Sequence, residues 1–140
     1  MSLNDAPEGL AFLVHVTAQG TDPAHAKEDA EEFRGLVDAL SWQVVGEMQA
    51  PLRAPQPALL LGSGKAEEVA AAARYAGATV VILDCALSPT QQRNWDAVTG
   101  LPVMDRQGLI LEIFADRAQT REAMLQVGLA RMEYMLPRLA

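Results

Sequence analysis

Between residues 10 and 105, short apolar runs of strand length alternate with capped, helix-periodic segments, and no other feature restricts the fold as much. Leu10–Val16 (LAFLVHV) and Ala78–Leu83 (ATVVIL) are nearly continuous apolar runs, as expected of strands covered on both faces. Trp42–Met48, Ala58–Leu61 and Pro102–Asp105 read as three further strands. Thr21-Asp22-Pro23 supplies an N-cap and a proline at the first helical position; Ala26, Ala30, Phe33, Val37 and Leu40 then recur on one helix face. Gly62-Ser63-Gly64 turns into a helix ending near Gly77. Ser88-Pro89, with Gln91 completing a capping box, opens another that stops at Gly100. Gln49–Pro57 contains three prolines and belongs at the sheet's margin. Such alternation implies right-handed crossovers. The expected class is α/β: a small, mainly parallel sheet of four or five strands flanked by helices.

After Gly108 the rhythm changes. Two apolar-periodic stretches flank a short polar break at Gln119–Glu122, the pattern of a two-helix antiparallel, coiled-coil-like arm. On its second helix Leu125, Leu129, Met132, Leu136 and Leu139 recur at four-three-four-three spacing, and Thr120 suits its N-cap. The chain thus divides into residues 1–9, an unstructured or expression-derived leader, an α/β subdomain over 10–106, and a helical hairpin arm over 107–140.

The formal charge of −7 on 140 residues argues against nucleic-acid binding, where phosphate neutralisation supplies much of the affinity. The charge is uneven, however. From Arg106 onward five arginines face four acidic residues, a local +1, so the remainder carries −8. Cys85 is the single cysteine, which excludes an intrachain disulfide framework or thiolate zinc cluster and suits a reducing cytoplasm. No secretory leader and no apolar run of bilayer-spanning length is present, so no membrane partner is expected.

Gly62-Ser63-Gly64-Lys65 resembles half of a phosphate loop, since amides at a helix start plus a lysine suit an anion. A Walker A loop would need a glycine where Leu59 stands and Ser or Thr where Ala66 stands. The preferred reading is a tight turn, with an anion or docking loop as the alternative. Asp84 and Asp105 fall at the C-terminal ends of parallel strands, where ligands collect in open α/β sheets. Hydrogen bonds from the following loop, or pairing with Arg106, are the simpler account of both. Neither histidine has a partner at metal-ligand spacing, and no Ser–His–Asp or Cys–His order is visible, so no catalytic or metal residues are assigned. Gln91-Gln92-Arg93-Asn94 forms either a docking helix or merely its wet side. At the arm's tip, Arg117 and Arg121 flank Gln119-Thr120, and arginines there can clamp phosphates or stack on bases; the alternative is ordinary surface charge, offset by Asp116 and Glu122.

GSGKAEE at 62–68, ATVVILD at 78–84, LSPTQQRN at 87–94 and DRQGLIL through MLPRL at 105–139 together resemble the N-terminal domain of the HflX-type ribosome-associated GTPases. The likeness runs from about Leu10 to Leu139. It implies a recognition domain that binds the large ribosomal subunit and its RNA, with GTP and magnesium handled by a downstream GTPase domain and no cofactor in this chain. The RNA contact would fall on Arg117, Gln119, Thr120, Arg121 and Met124. The family usually reads RARTREGKLQVEL at the tip, where this chain has RAQTREAMLQVGL, with Gln119, Ala123-Met124 and Gly128 as departures and two positive charges fewer. An alternative is a stand-alone protein-interaction module that pairs through the arm with itself or with another protein.

Overall fold

A computed structural model describes residues 9–139. Apart from Gly9, the expected leader lies outside the described residues. Four parallel strands, β1 (Leu10–Ala18), β2 (Gln43–Leu52), β3 (Val80–Leu83) and β4 (Val103–Met104), form one sheet in the order β2-β1-β3-β4. The connecting helices are α1 (Pro23–Asp38), α2 (Ser63–Tyr75) and α3 (Pro89–Thr99), followed by α4 (Arg106–Arg117), α5 (Arg121–Met135) and a closing 3-10 turn, Leu136–Arg138. The fold is α/β, as the alternation predicts.

Strand pleating splits the core in two. Phe12, Val14, Val81 and Leu83 face α2 and α3 and pack with Val69, Ala73 and Trp95. Their neighbours Ala11, Leu13, Val80 and Ile82 face the opposite way, onto Phe33 and Val37 of α1 and Leu109 and Ile113 of α4. Both faces of β1 and β3 are therefore dry, which is why these strands read as continuous apolar runs.

The caps form as the residue types require. Asp22 caps α1 with Pro23 in its first turn; Ser88 and Gln91 form a reciprocal capping box on α3, and Gly100 closes that helix in the left-handed region. Thr120 Oγ1 accepts from the Ala123 amide and starts α5.

Two expectations need correction. Ala58–Leu61 is not a strand. Leu60 takes a φ of 67°, and Gln56 and Leu60 exchange two backbone hydrogen bonds as a tight loop. Pro55 and Pro57 cannot donate to a ladder. The Ala58 and Leu59 carbonyls instead accept from Asn94 and Trp95 of α3, at 2.8 and 2.7 Å. Leu59 and Leu61 thus reach the core from a loop. The second concerns the arm. The first helix of the hairpin, α4, is a body helix, because Leu109 and Ile113 belong to the second core. Of α5, only Tyr134 is buried.

Candidate recognition surface

At the C-terminal end of the sheet, where an open α/β fold usually places ligands, the acidic residues are committed internally. Asp84 Oδ1 accepts from Arg106 Nη1 at 2.8 Å, and Arg106 also reaches Glu32 at 3.0 Å. Asp105 is fully buried and accepts from the amides of Leu87 (3.0 Å) and Gly108 (2.9 Å) and from the Tyr134 hydroxyl (2.5 Å). Cys85 follows β3. Burial, with Asp105 and Asp84 nearby, pushes its thiol up to about 12, so it supplies no thiolate nucleophile near neutrality. Among the described residues no group of three or more His, Cys, Asp and Glu could hold a metal ion.

The four polar residues opening α3 are tied into the fold. Gln91 caps Ser88 and donates to the Gln56 carbonyl; Gln92 donates to the Val103 carbonyl at 2.8 Å and accepts from Tyr134 and Arg138. Arg93 reaches the Pro137 carbonyl at 3.2 Å, and Asn94 holds Ala58. Internal hydrogen bonding accounts for the polar character from which a docking helix was inferred.

Gly62, in extended conformation, caps α2 without a side-chain bond, and Lys65 pairs with Glu68 at 3.4 Å. Leu59, standing where a phosphate loop needs glycine, is buried in the core. Ala66, standing where a phosphate loop needs Ser or Thr, is buried and has no hydroxyl to offer a magnesium ion. The loop thus lacks the phosphate-loop pattern at both positions, and a tight turn into α2 accounts for its geometry.

The α4–α5 turn brings Arg117, Gln119, Thr120 and Arg121 together, all exposed. No ion pair among the described residues reaches Arg117 or Arg121. Met124 lies one turn further on, 55% exposed. Beyond it Leu125, Leu129, Met132, Leu136 and Leu139 are each about 60% exposed, an apolar stripe running down α5. The α4–α5 turn therefore carries two exposed arginines beside the exposed carboxylates of Asp116 and Glu122, and α5 carries an uncovered apolar flank.

Other polar clusters were not legible in the sequence. His15, buried on β1, shares Glu47 of β2 with Arg34 of α1, at 2.7 and 2.6 Å. Arg131 of α5 pairs with Glu112 of α4 at 2.8 Å; burial raises the Glu112 carboxyl, and Arg131 opposes the shift. Arg138 stacks its guanidinium 3.8 Å from the centre of the Tyr134 ring. The single signal for this last group was a tyrosine on an otherwise wet helix, just before LPR.

Residues 27–115 match the family described as GTP-binding GTPase N-terminal. The GTPase HflX of Escherichia coli is 42% identical over 130 residues, covering 92% of this chain and 30% of its own length. The GTPase HflX of Akkermansia muciniphila is 42% identical over 140 residues, 99% of this chain and 32% of its own. The chain thus spans about a third of the length of these curated relatives. A GTP-binding protein from the archaeon Sulfolobus solfataricus, solved in complex with GDP, superposes with a TM-score of 0.70 at 25% identity. That match covers 93% of this chain and 38% of the other.

Proposed function

The chain belongs to the HflX GTPase family, in the place of that family's N-terminal domain, and we propose that it is a cytoplasmic recognition domain for the large ribosomal subunit. It is not catalytic by itself. GTP and magnesium fall to a downstream domain, because the Gly62–Lys65 loop does not fit Mg-nucleotide. The observation that carries the reading is the α4–α5 turn: Arg117 and Arg121 stand exposed at the end of a hairpin, with no carboxylate neutralising either among the described residues. Guanidinium groups so placed bind phosphate by charge and stack on unpaired bases. An acidic body behind a C-terminal segment of local charge +1 would also orient the approach to RNA.

Binding of the 140-residue chain to large subunits across a salt series tests this. The parent should bind weakly and lose affinity steeply with salt. Restoring two charges through Gln119→Arg and Met124→Lys should tighten binding and steepen the log–log slope by roughly 0.7–0.9 per phosphate gained. A charge-restored variant no tighter than the parent would remove the tip as an RNA contact. One observation favours a second reading, a protein-interaction module: the exposed stripe from Leu125 to Leu139 suits a partner helix or a second copy of the chain.

A further inference from the structure

We propose that Tyr134, seated between Gly108 and Asp105, is a latch fixing the direction in which α5 and its arginine-bearing tip leave the α/β body. Three separate observations support this. Tyr134 is the one buried side chain of α5, and its hydroxyl donates to the fully buried Asp105 carboxylate at 2.5 Å. That carboxylate also accepts from the Leu87 and Gly108 amides, so it is itself held rigidly at the end of β4. Second, α4 has a glycine where the tyrosine arrives. A Cβ on Gly108 would stand 2.9 Å from the Tyr134 hydroxyl oxygen and 2.9 Å from Met104 Cγ. The glycine is what lets the phenol reach the carboxylate. Third, Arg138 closes over the ring and clamps the far side, donating to Gln92 Oε1 (2.8 Å), the Leu87 carbonyl (2.9 Å) and the Tyr134 carbonyl (2.9 Å).

Toward the tip the hairpin is looser. A cleft of about 290 Å³ lies between α4 and α5, lined by Ala115, Ala118, Met124, Val127, Gly128 and Arg131. Small side chains there leave that cleft unfilled, and the Arg131–Glu112 pair bridges the two helices further along α5. The latched end therefore sets the helix direction, and Tyr134, Gly108 and Arg138 are positioning residues for the tip. The latch stands on geometry alone; its role in recognition rests on the reading proposed above.

Backbone amide exchange of the whole chain, with large-subunit binding measured in parallel, tests both parts. Tyr134→Phe removes a hydrogen bond to a charged group and should speed exchange over 121–135 by roughly 10- to 100-fold, leaving β1 and β3 amides protected. Gly108→Ala, which displaces the ring without deleting the hydroxyl, and Arg138→Met, which removes the clamp over the ring together with its 3.8 Å ion pair to Asp105, should act in the same direction. They keep the test decisive if the phenylalanine variant does not fold. Unchanged α5 exchange in the folded variants overturns the latch. So does loss of protection in β1 and β3 by the same factor, which would make Tyr134 an ordinary core residue. If α5 loosens while subunit affinity holds, the positioning role is overturned. If the parent itself binds no subunit, the recognition reading fails, and exchange alone still decides the latch.

Discussion

The Trp95 indole on α3 donates its Nε1–H to the Leu59 carbonyl at 2.7 Å, inside the core, and so holds in place a loop with no ladder of its own. Trp95→Phe would leave that carbonyl with only the Leu61 amide, at 2.7 Å, and open a void beside Leu59 and Leu61. We expect a loss of about 2–4 kcal/mol, combining a lost buried hydrogen bond with a partly filled cavity. Urea unfolding measures it, and a loss within error of zero would mean that the loop holds itself.

Glycines at 46 and 128 should respond oppositely to alanine. A Cβ at Gly128 meets nothing within 4 Å, so Gly128→Ala should stabilise α5 by up to about 1 kcal/mol through helix propensity and raise helicity. At Gly46 the same methyl would sit 2.8 Å from the ring of Phe12, a core residue, and should destabilise. Circular dichroism and denaturant midpoints for both variants check the pair; a shared sign would refute it.

Glu47 gives the chain an acid-sensitive contact. Burial by itself would raise its carboxyl, but hydrogen bonds from Arg34 and His15 outweigh burial and hold it below its ordinary 4.5. A carboxylate whose folded pKa is depressed contributes stability above its unfolded pKa and loses it as pH falls through the folded one. Glu47→Gln should therefore cost at most about 1 kcal/mol near neutrality, the pair being partly exposed. The gap between parent and variant should close below about pH 4.5. A gap that persists undiminished at lower pH would locate the effect in packing.

The stripe on α5 should make the chain self-associate. Sedimentation velocity over a concentration series should show a rising weight-average mass for the parent. Leu129→Glu, at the middle of the stripe, should return it to monomer with the fold intact. A parent that stays monomeric at high concentration would mean that the stripe tolerates water unaided.

Elements whose signals are local were legible in the sequence. The capping box at Ser88 and Gln91, the left-handed stop at Gly100, Thr120 before α5 and the two-sided apolar strands β1 and β3 all form where residue type alone places them. Prediction failed where a local pattern was overridden by partners distant in sequence. Ala58–Leu61 has the composition of a strand, yet its carbonyls are claimed by Asn94 and Trp95, 36 residues away in each case. On α4, Leu109 and Ile113 resemble an arm seam, and only the sheet's second face shows that they are body residues. For the tip, the sequence located the turn and its arginines. It could not show that Tyr134 meets Asp105, because a contact 29 residues apart leaves no periodic trace.

The unequal edges of the sheet bear on how the chain avoids fibre formation. β4 has only two residues, too few to template a foreign strand. β2 has ten and, among the described residues, pairs only with β1, so its outer side is long enough to recruit one. The register against β1 slips between Ala11 and Phe12, leaving Val45 as an extra residue, and Pro51 withholds an amide further along. A bulge and a proline break the edge into short pieces that an incoming strand cannot match in register. Replacing Pro51 would remove part of that protection and open this margin to edge-to-edge pairing.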